Sequence, residues 1–217
     1  MSKANPIYIS KQADPTLISY LRQKGCQLSF IESQDIVDES LSHHPDIFLC
    51  KMGILPNSPV FFADGSQLGK GYPEDVAYNA ACTGKYFIHN LSYTAPALLQ
   101  AAKEMDMIFV DVKQGYTKCS IIPVSEDAII TYDQGITSVC QSYGMEVLTV
   151  SPGFVRLDGY DTGFIGGTCG LIDKELVFNG DLYRHPDCQR IVDFAASKGI
   201  TCKWFADYPL TDIGSIL

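Results

Sequence analysis

The chain has no Cys-x-x-Cys pair, no His-x-x-x-His pair, no run of lysine and arginine, and a single tryptophan. Each absence removes a class of function. Without Cys-x-x-Cys, the eight cysteines fit neither a zinc ribbon nor a thioredoxin-like redox motif. Without histidines at ligand spacing no metal site is expected, and nothing calls for a cofactor. Acidic residues outnumber basic ones 25 to 16, for a net charge of −9, and the basic residues are scattered. A phosphate backbone is repelled by that field, so a nucleic-acid partner is not expected. No apolar run reaches the ~18 residues of a membrane span, which argues against a membrane partner. The opening stretch Met1–Pro6 lacks the apolar core of a secretion signal. The expected location is therefore the cytoplasm, with the cysteines reduced and buried as small hydrophobes.

What is present is a repetition. With 46% apolar and 19% charged residues over 217 positions, the composition is that of a globular chain, read as one domain over 1–217. Five times a short amphipathic helix runs into a strand: helices over 14–24, 74–83, 95–105, 136–143 and 187–198, strands over 26–31, 85–90, 106–112, 145–150 and 200–206. Four of these junctions pass through a glycine (Gly25, Gly84, Gly144, Gly199), a common helix stop. A second pattern is superposed on the first. Residues 47–64, 116–133 and 163–180 each read as two strands and a turn, with a cysteine 14, 14 and 12 residues before an aspartate: Cys50 and Asp64, Cys119 and Asp133, Cys169 and Asp181. The cysteines mark a shared inward packing position. Hairpins do not suit an all-parallel, doubly wound sheet, so repeated β-β-α-β units are the preferred α/β reading.

That arrangement resembles the pentein fold of the guanidino-group-modifying enzymes, a five-bladed α/β propeller. The family includes dimethylarginine dimethylaminohydrolase, arginine deiminase and the amidinotransferases; ribosome anti-association initiation factors share its architecture without its chemistry. Val60–Asp64 resembles the early strand that carries a substrate-binding aspartate into the central cavity. Gly115–Ser120 resembles the strand bearing the catalytic histidine, and Tyr116 stands in that histidine's place. The stretch matching the nucleophilic cysteine is Leu210–Ser215, which has no cysteine; Ser215 is its closest polar candidate. In the family a thiolate attacks the guanidinium carbon, a histidine moves protons and carboxylates hold the cation. With tyrosine and serine in those places, the resemblance implies a cavity without the usual amidino transfer.

Candidate site residues follow. Asp64 and Asp133 each end an apolar strand, where they either line the axis and hold a cation or cap the next turn. Lys118, beside Tyr116 and Cys119, interrupts an apolar strand. It points into a wet cavity, pairing with Asp64 or another carboxylate, or outward from an exposed face. Cys169 lies in the glycine cluster 163–170. It is either a second nucleophile, with Asp161 nearby and His89 supplied from another unit, or a packed thiol. The leading functional expectation is binding of a small cationic or amino-acid-like molecule. The alternatives are a cysteine-dependent hydrolase acting through Cys169 or Cys119, and a protein-interaction module.

Overall fold

Four of the five expected helices form, each where its caps and apolar stripe direct. The computed structural model describes residues 5–32, 35–65 and 68–217. Helix α1 (Pro15–Gln23) starts at Asp14, whose carboxylate accepts the Thr16 N–H at 2.7 Å, and it buries Leu17 and Leu21. Helices α3 (Pro96–Glu104), α5 (Gln134–Ser142) and α6 (Cys188–Ser197) bury Leu98, Ile136 and Ile191 in the same manner. After α5 the chain turns at Gly144 with φ +81°, a conformation that costs a residue with a Cβ roughly 1 kcal/mol or more.

Among the described residues the strands form five small sheets in a mixed α/β chain. The first pairs β1 (Ile7–Ser10) with β2 (Leu28–Ile31) in parallel across α1. The second is the hairpin of β3 (Leu49–Lys51) and β4 (Val60–Phe62). The third, fourth and fifth repeat one plan: an antiparallel pair, a helix, then a parallel third strand. They comprise β5 (Ala81–Cys82), β6 (Tyr86–His89) and β7 (Ile108–Asp111); β8 (Ile121–Ser125), β9 (Ala128–Thr131) and β10 (Glu146–Thr149); and β11 (Cys169–Ile172), β12 (Glu175–Phe178) and β13 (Thr201–Lys203). Leu217 adds to the first sheet. Tyr8 N–H donates to Leu217 O at 2.7 Å and Leu217 N–H to Tyr8 O at 3.0 Å, the paired exchange of an antiparallel ladder.

The apolar clusters follow the sheets in order. One joins Ile31 of the first sheet to Leu49 of the second, the next Cys50 to Phe87 of the third, and the next Ile88 to Ile129 of the fourth. Another joins Ile130 to Phe178 of the fifth, and the last joins Val177 to Ile9 of the first.

Three local expectations are corrected. Residues 74–83 are not helical: they turn until Asn79, and Ala81–Cys82 then enter a sheet. Val76, Tyr78, Asn79, Ala80, Ala81 and Cys82 are all buried, so the segment has no solvent face to make it amphipathic. Tyr116–Ser120 is not strand but a single helical turn, α4 (Thr117–Ser120). There the Thr117 hydroxyl donates to Gln114 O and the Ser120 hydroxyl to Tyr116 O, bonds that hold the chain in a turn. The glycine cluster is a loop and a 3-10 turn (Gly166–Thr168) before β11, not strand. A one-turn helix likewise precedes the second sheet, α2 (Pro45–Phe48).

Candidate functional site

The residues just ahead of each sheet's leading segment converge. Asp46 lies in α2, Asn79 shortly before β5, Lys118 and Cys119 in α4, Gly166 in the turn before β11, and Ser215 opens the segment beside β1. Their side chains form one buried network. Lys118 Nζ donates to Ser215 Oγ at 2.9 Å, and the Ser215 hydroxyl donates to Asp46 Oδ2 at 2.6 Å, with Gly166 O 3.0 Å from Ser215 Oγ. The Cys119 thiol donates to Asp46 Oδ2 at 3.3 Å. Asn79 organises the rest. Its amide N–H groups donate to Cys119 Sγ (3.1 Å) and Asp46 O (2.9 Å), while its Oδ1 accepts the backbone N–H groups of Lys118 (2.8 Å) and Cys119 (3.2 Å).

Asp212 and His44 complete the cluster. Asp212 accepts the Gly214 and Phe164 N–H groups, and its Oδ1 lies 3.9 Å from His44 Nδ1. Burial pushes the Asp212 carboxyl up to about 6 and the His44 imidazole down to about 4. His44 is therefore neutral near pH 7, and its contact with Asp212 is not an ion pair. Burial also raises Asp46, opposed by His44 and then by Lys118. The backbone is crowded here: a Cβ on Gly167 would strike the Asp212 carboxylate. Ser215 holds φ +69° although it is not glycine, a strained value of the kind that collects at functional sites.

Aromatic rings cover the network on one side. Tyr116 stacks on Phe164 at 5.8 Å and Phe164 on Tyr132 at 5.9 Å, while Tyr72 packs against Tyr116 at 5.8 Å and Tyr93 at 5.6 Å. The Tyr116 hydroxyl donates to Asp75 Oδ2. Another flank holds a cavity of about 40 Å³, lined by Cys50, Cys82, Lys118, Ile122, Cys169 and Ile216. That is room for a water or two, not for an amino acid. Among the described residues no group of three or more His, Cys, Asp or Glu side chains is placed to hold a metal ion, and no helix is long and apolar enough to cross a membrane.

Residues 8–217 match a family of unknown function, DUF6873. The chain belongs to that family. No curated protein matches it.

The structure brings Lys118 and Cys119 into the network, sets Tyr116 above it and places Cys169 on the cavity beside Lys118. Lys118 pairs through Ser215 with Asp46, not with Asp64. Asp64 and Asp161 are exposed, and Asp133 caps α5 by accepting the Ile136 N–H at 2.8 Å. Asp181 accepts the Tyr183 N–H at 3.1 Å. His89 is a hydrogen-bonded core histidine: Nε2 lies 3.0 Å from Gly115 O and Nδ1 2.7 Å from the Thr94 hydroxyl, and burial lowers it to about 4. Both candidate thiols are held protonated. Burial, then the carboxylates of Asp46 and Asp212, raises Cys119 well above an ordinary thiol, and burial raises Cys169 to about 12.

Asp46, Asn79, His44 and Asp212 escaped the sequence reading. His44-Pro45-Asp46 has the form of a turn and is matched by His185-Pro186-Asp187, so nothing in its letters marks a buried carboxylate. Asn79 was hidden inside an expected helix. The available signal was positional: His44, Asp46 and Asn79 lie at the entry to a hairpin, as Lys118 and Cys119 do, while Asp212 precedes the last segment.

Proposed function

We propose that the five sheets are the blades of a pentein-like ring, and that the ring binds a small molecule through a cationic group at the aromatic-covered end of its hub, without thiol chemistry. The cyclic order of the apolar clusters supports closure, because the last cluster returns from the fifth sheet to the first. The observation that carries the ligand is a pair of unmatched acceptors. Asp46 Oδ1 and Asp75 Oδ1 are buried and make no hydrogen bond with another described residue; Asp46 is bonded to Ser215 and Asp75 to Tyr116 through their other oxygens. A buried acceptor left unpaired costs about 1–3 kcal/mol, and an ammonium or guanidinium donor relieves that cost. Burial raises both Asp46 and Asp212, and a bound cation would favour their ionised forms.

The test is calorimetric titration of the full chain with a panel of amines, guanidines and amino acids. A cationic ligand should bind, and Asp46→Asn and Asp75→Asn should each weaken it about tenfold, the effect of losing one charge-assisted bond. Absence of any cationic ligand, or binding indifferent to both substitutions, would refute the reading.

A protein-interaction role is the second reading, favoured by the closed centre and by Phe154 and Tyr160, which share a surface groove at 51% and 50% exposure. It predicts a partner whose binding falls with Phe154→Ser and ignores Asp46→Asn.

A further inference from the structure

Three sulfur atoms from two sheets meet apart from the polar network. Cys50 Sγ, Cys82 Sγ and Met52 Sδ each lie 3.8 Å from both of the others. Cys50 lies in β3 and Met52 just past its end, where the Met52 N–H donates to Pro59 O, and Cys82 closes β5. All three are buried, in an apolar shell that includes Tyr78, Ala80, Phe87 and Leu98.

We propose that Cys50, Cys82 and Met52 form a three-coordinate site for a soft monovalent metal ion, copper(I). The point equidistant from the corners of this triangle lies about 2.2 Å from each sulfur, close to the ~2.3 Å of a zinc–thiolate bond. The same centre therefore suits all three donors without moving the chain. Thiolate and thioether ligands select copper(I) over harder ions. Zinc needs a fourth donor in a tetrahedral set; the other polar contact here is Ala80 O, 3.6 Å from Cys50 Sγ, a hard oxygen.

Loading forms two copper–thiolate bonds and one dative bond from the Met52 thioether. It releases two protons to solvent and moves no electrons. Two thiolates and one Cu⁺ leave a single negative charge in an apolar shell. Lys118 lines the same cavity as Cys50 and Cys82 and supplies the opposing charge. The site shares Lys118 with the polar network, but its three sulfur ligands are none of the groups proposed to hold the cationic molecule.

The competing account is van der Waals packing of three sulfurs in a core, and the experiment separates the two. The full chain is titrated anaerobically with copper(I) held by the chromophoric chelator bicinchoninate. One copper per chain should leave the chelator, and X-ray absorption should show three sulfur neighbours at about 2.2–2.3 Å. In selenomethionine-substituted protein, selenium should replace one of them. Met52→Leu conserves core volume and should weaken binding by about tenfold or more. Cys50→Ala with Cys82→Ala should abolish it, whereas Cys26→Ser, Cys188→Ser and Cys202→Ser together, at the partly exposed thiols, should leave the stoichiometry unchanged. Copper that stays on the chelator in the presence of folded chain means packing only. Copper kept by the Cys50/Cys82 double variant, or lost with the three outer thiols, places the site elsewhere. If the double variant fails to fold, the selenium neighbour and Met52→Leu decide: no selenium and unchanged affinity would overturn the proposal.

Discussion

Ser215 shows how one residue ties distant parts of the sequence together. Its hydroxyl stands between the Lys118 ammonium and the Asp46 carboxylate with no exposed surface, and its backbone sits at φ +69°. Ser215→Ala removes the bridge while keeping a Cβ in the left-handed region, so two charged groups lose a partner in a dry site. The expected loss is about 1–3 kcal/mol in urea unfolding. Ser215→Gly loses the same bonds but relieves the backbone, and should unfold about 1 kcal/mol later than the alanine variant. Equal stability of the two variants would show that φ +69° stores no strain. At this scale the sequence was partly legible. A lysine inside an apolar run pointed either to a buried partner or to an exposed face, and Ser215 was the closest polar candidate of its stretch. Which carboxylate met the lysine was not readable, because Asp46 is 72 residues from Lys118 and sits in a sequence that reads as a turn.

At the scale of elements, the reading succeeded where local chemistry decides and failed where tertiary contacts do. Caps, apolar stripes and stop glycines placed α1, α5 and α6 within a residue or two of their observed ends. The segment 74–83 and the turn α4 were misread because their backbone partners are remote: Asn79 Oδ1 and Asn79 O both take the Lys118 N–H. Asp133 makes the distinction measurable. It accepts the Ile136 N–H at the start of α5, so Asp133→Ala should cost about 1 kcal/mol of stability and leave ligand affinity unchanged. A drop in affinity with no loss of stability would return Asp133 to the binding site. Cys50, Cys119 and Cys169 are all buried to within 1% of full coverage, but they do not share one strand position: Cys50 lies within β3, Cys119 in α4, and Cys169 opens β11.

For the whole molecule, buried titratable groups set the acid limb of stability. His89 and His44 are each held near 4 in the folded chain against an ordinary 6.5, so the unfolded chain takes their protons first. Their contribution is complete above about 6.5 and is lost as pH falls toward 4. Asp212 acts in the opposite sense: raised to about 6, it favours the folded chain at low pH and ceases to as pH rises through 6. Asp46 and Asp75, raised by burial, join Asp212, and His43 and His185, lowered by burial, join the two histidines held near 4. His89→Gln removes one of the two, worth about 3 kcal/mol over the full window, and should flatten the fall in unfolding free energy between pH 6.5 and 4. An unchanged slope would mean that His89 is charged in the folded chain.

Closure of the proposed ring rests on residues 215–217, which touch two seams at once. Ile216 belongs to the cluster between the fifth and first sheets, and its N–H donates to Cys169 O; Leu217 belongs to the cluster between the first and second, and it exchanges both bonds with Tyr8. Removing the three residues from a linear stack of sheets would expose only the edge at β1. Removing them from a ring unfastens both neighbours. Hydrogen exchange read by mass spectrometry should then show lost protection in β1 and in β11 together, while β9, which packs on the far seams through Ile129 and Ile130, keeps its own. Faster exchange confined to β1 would leave the five sheets as an open array, because the fifth sheet would then hold its shape without the segment that joins it to the first.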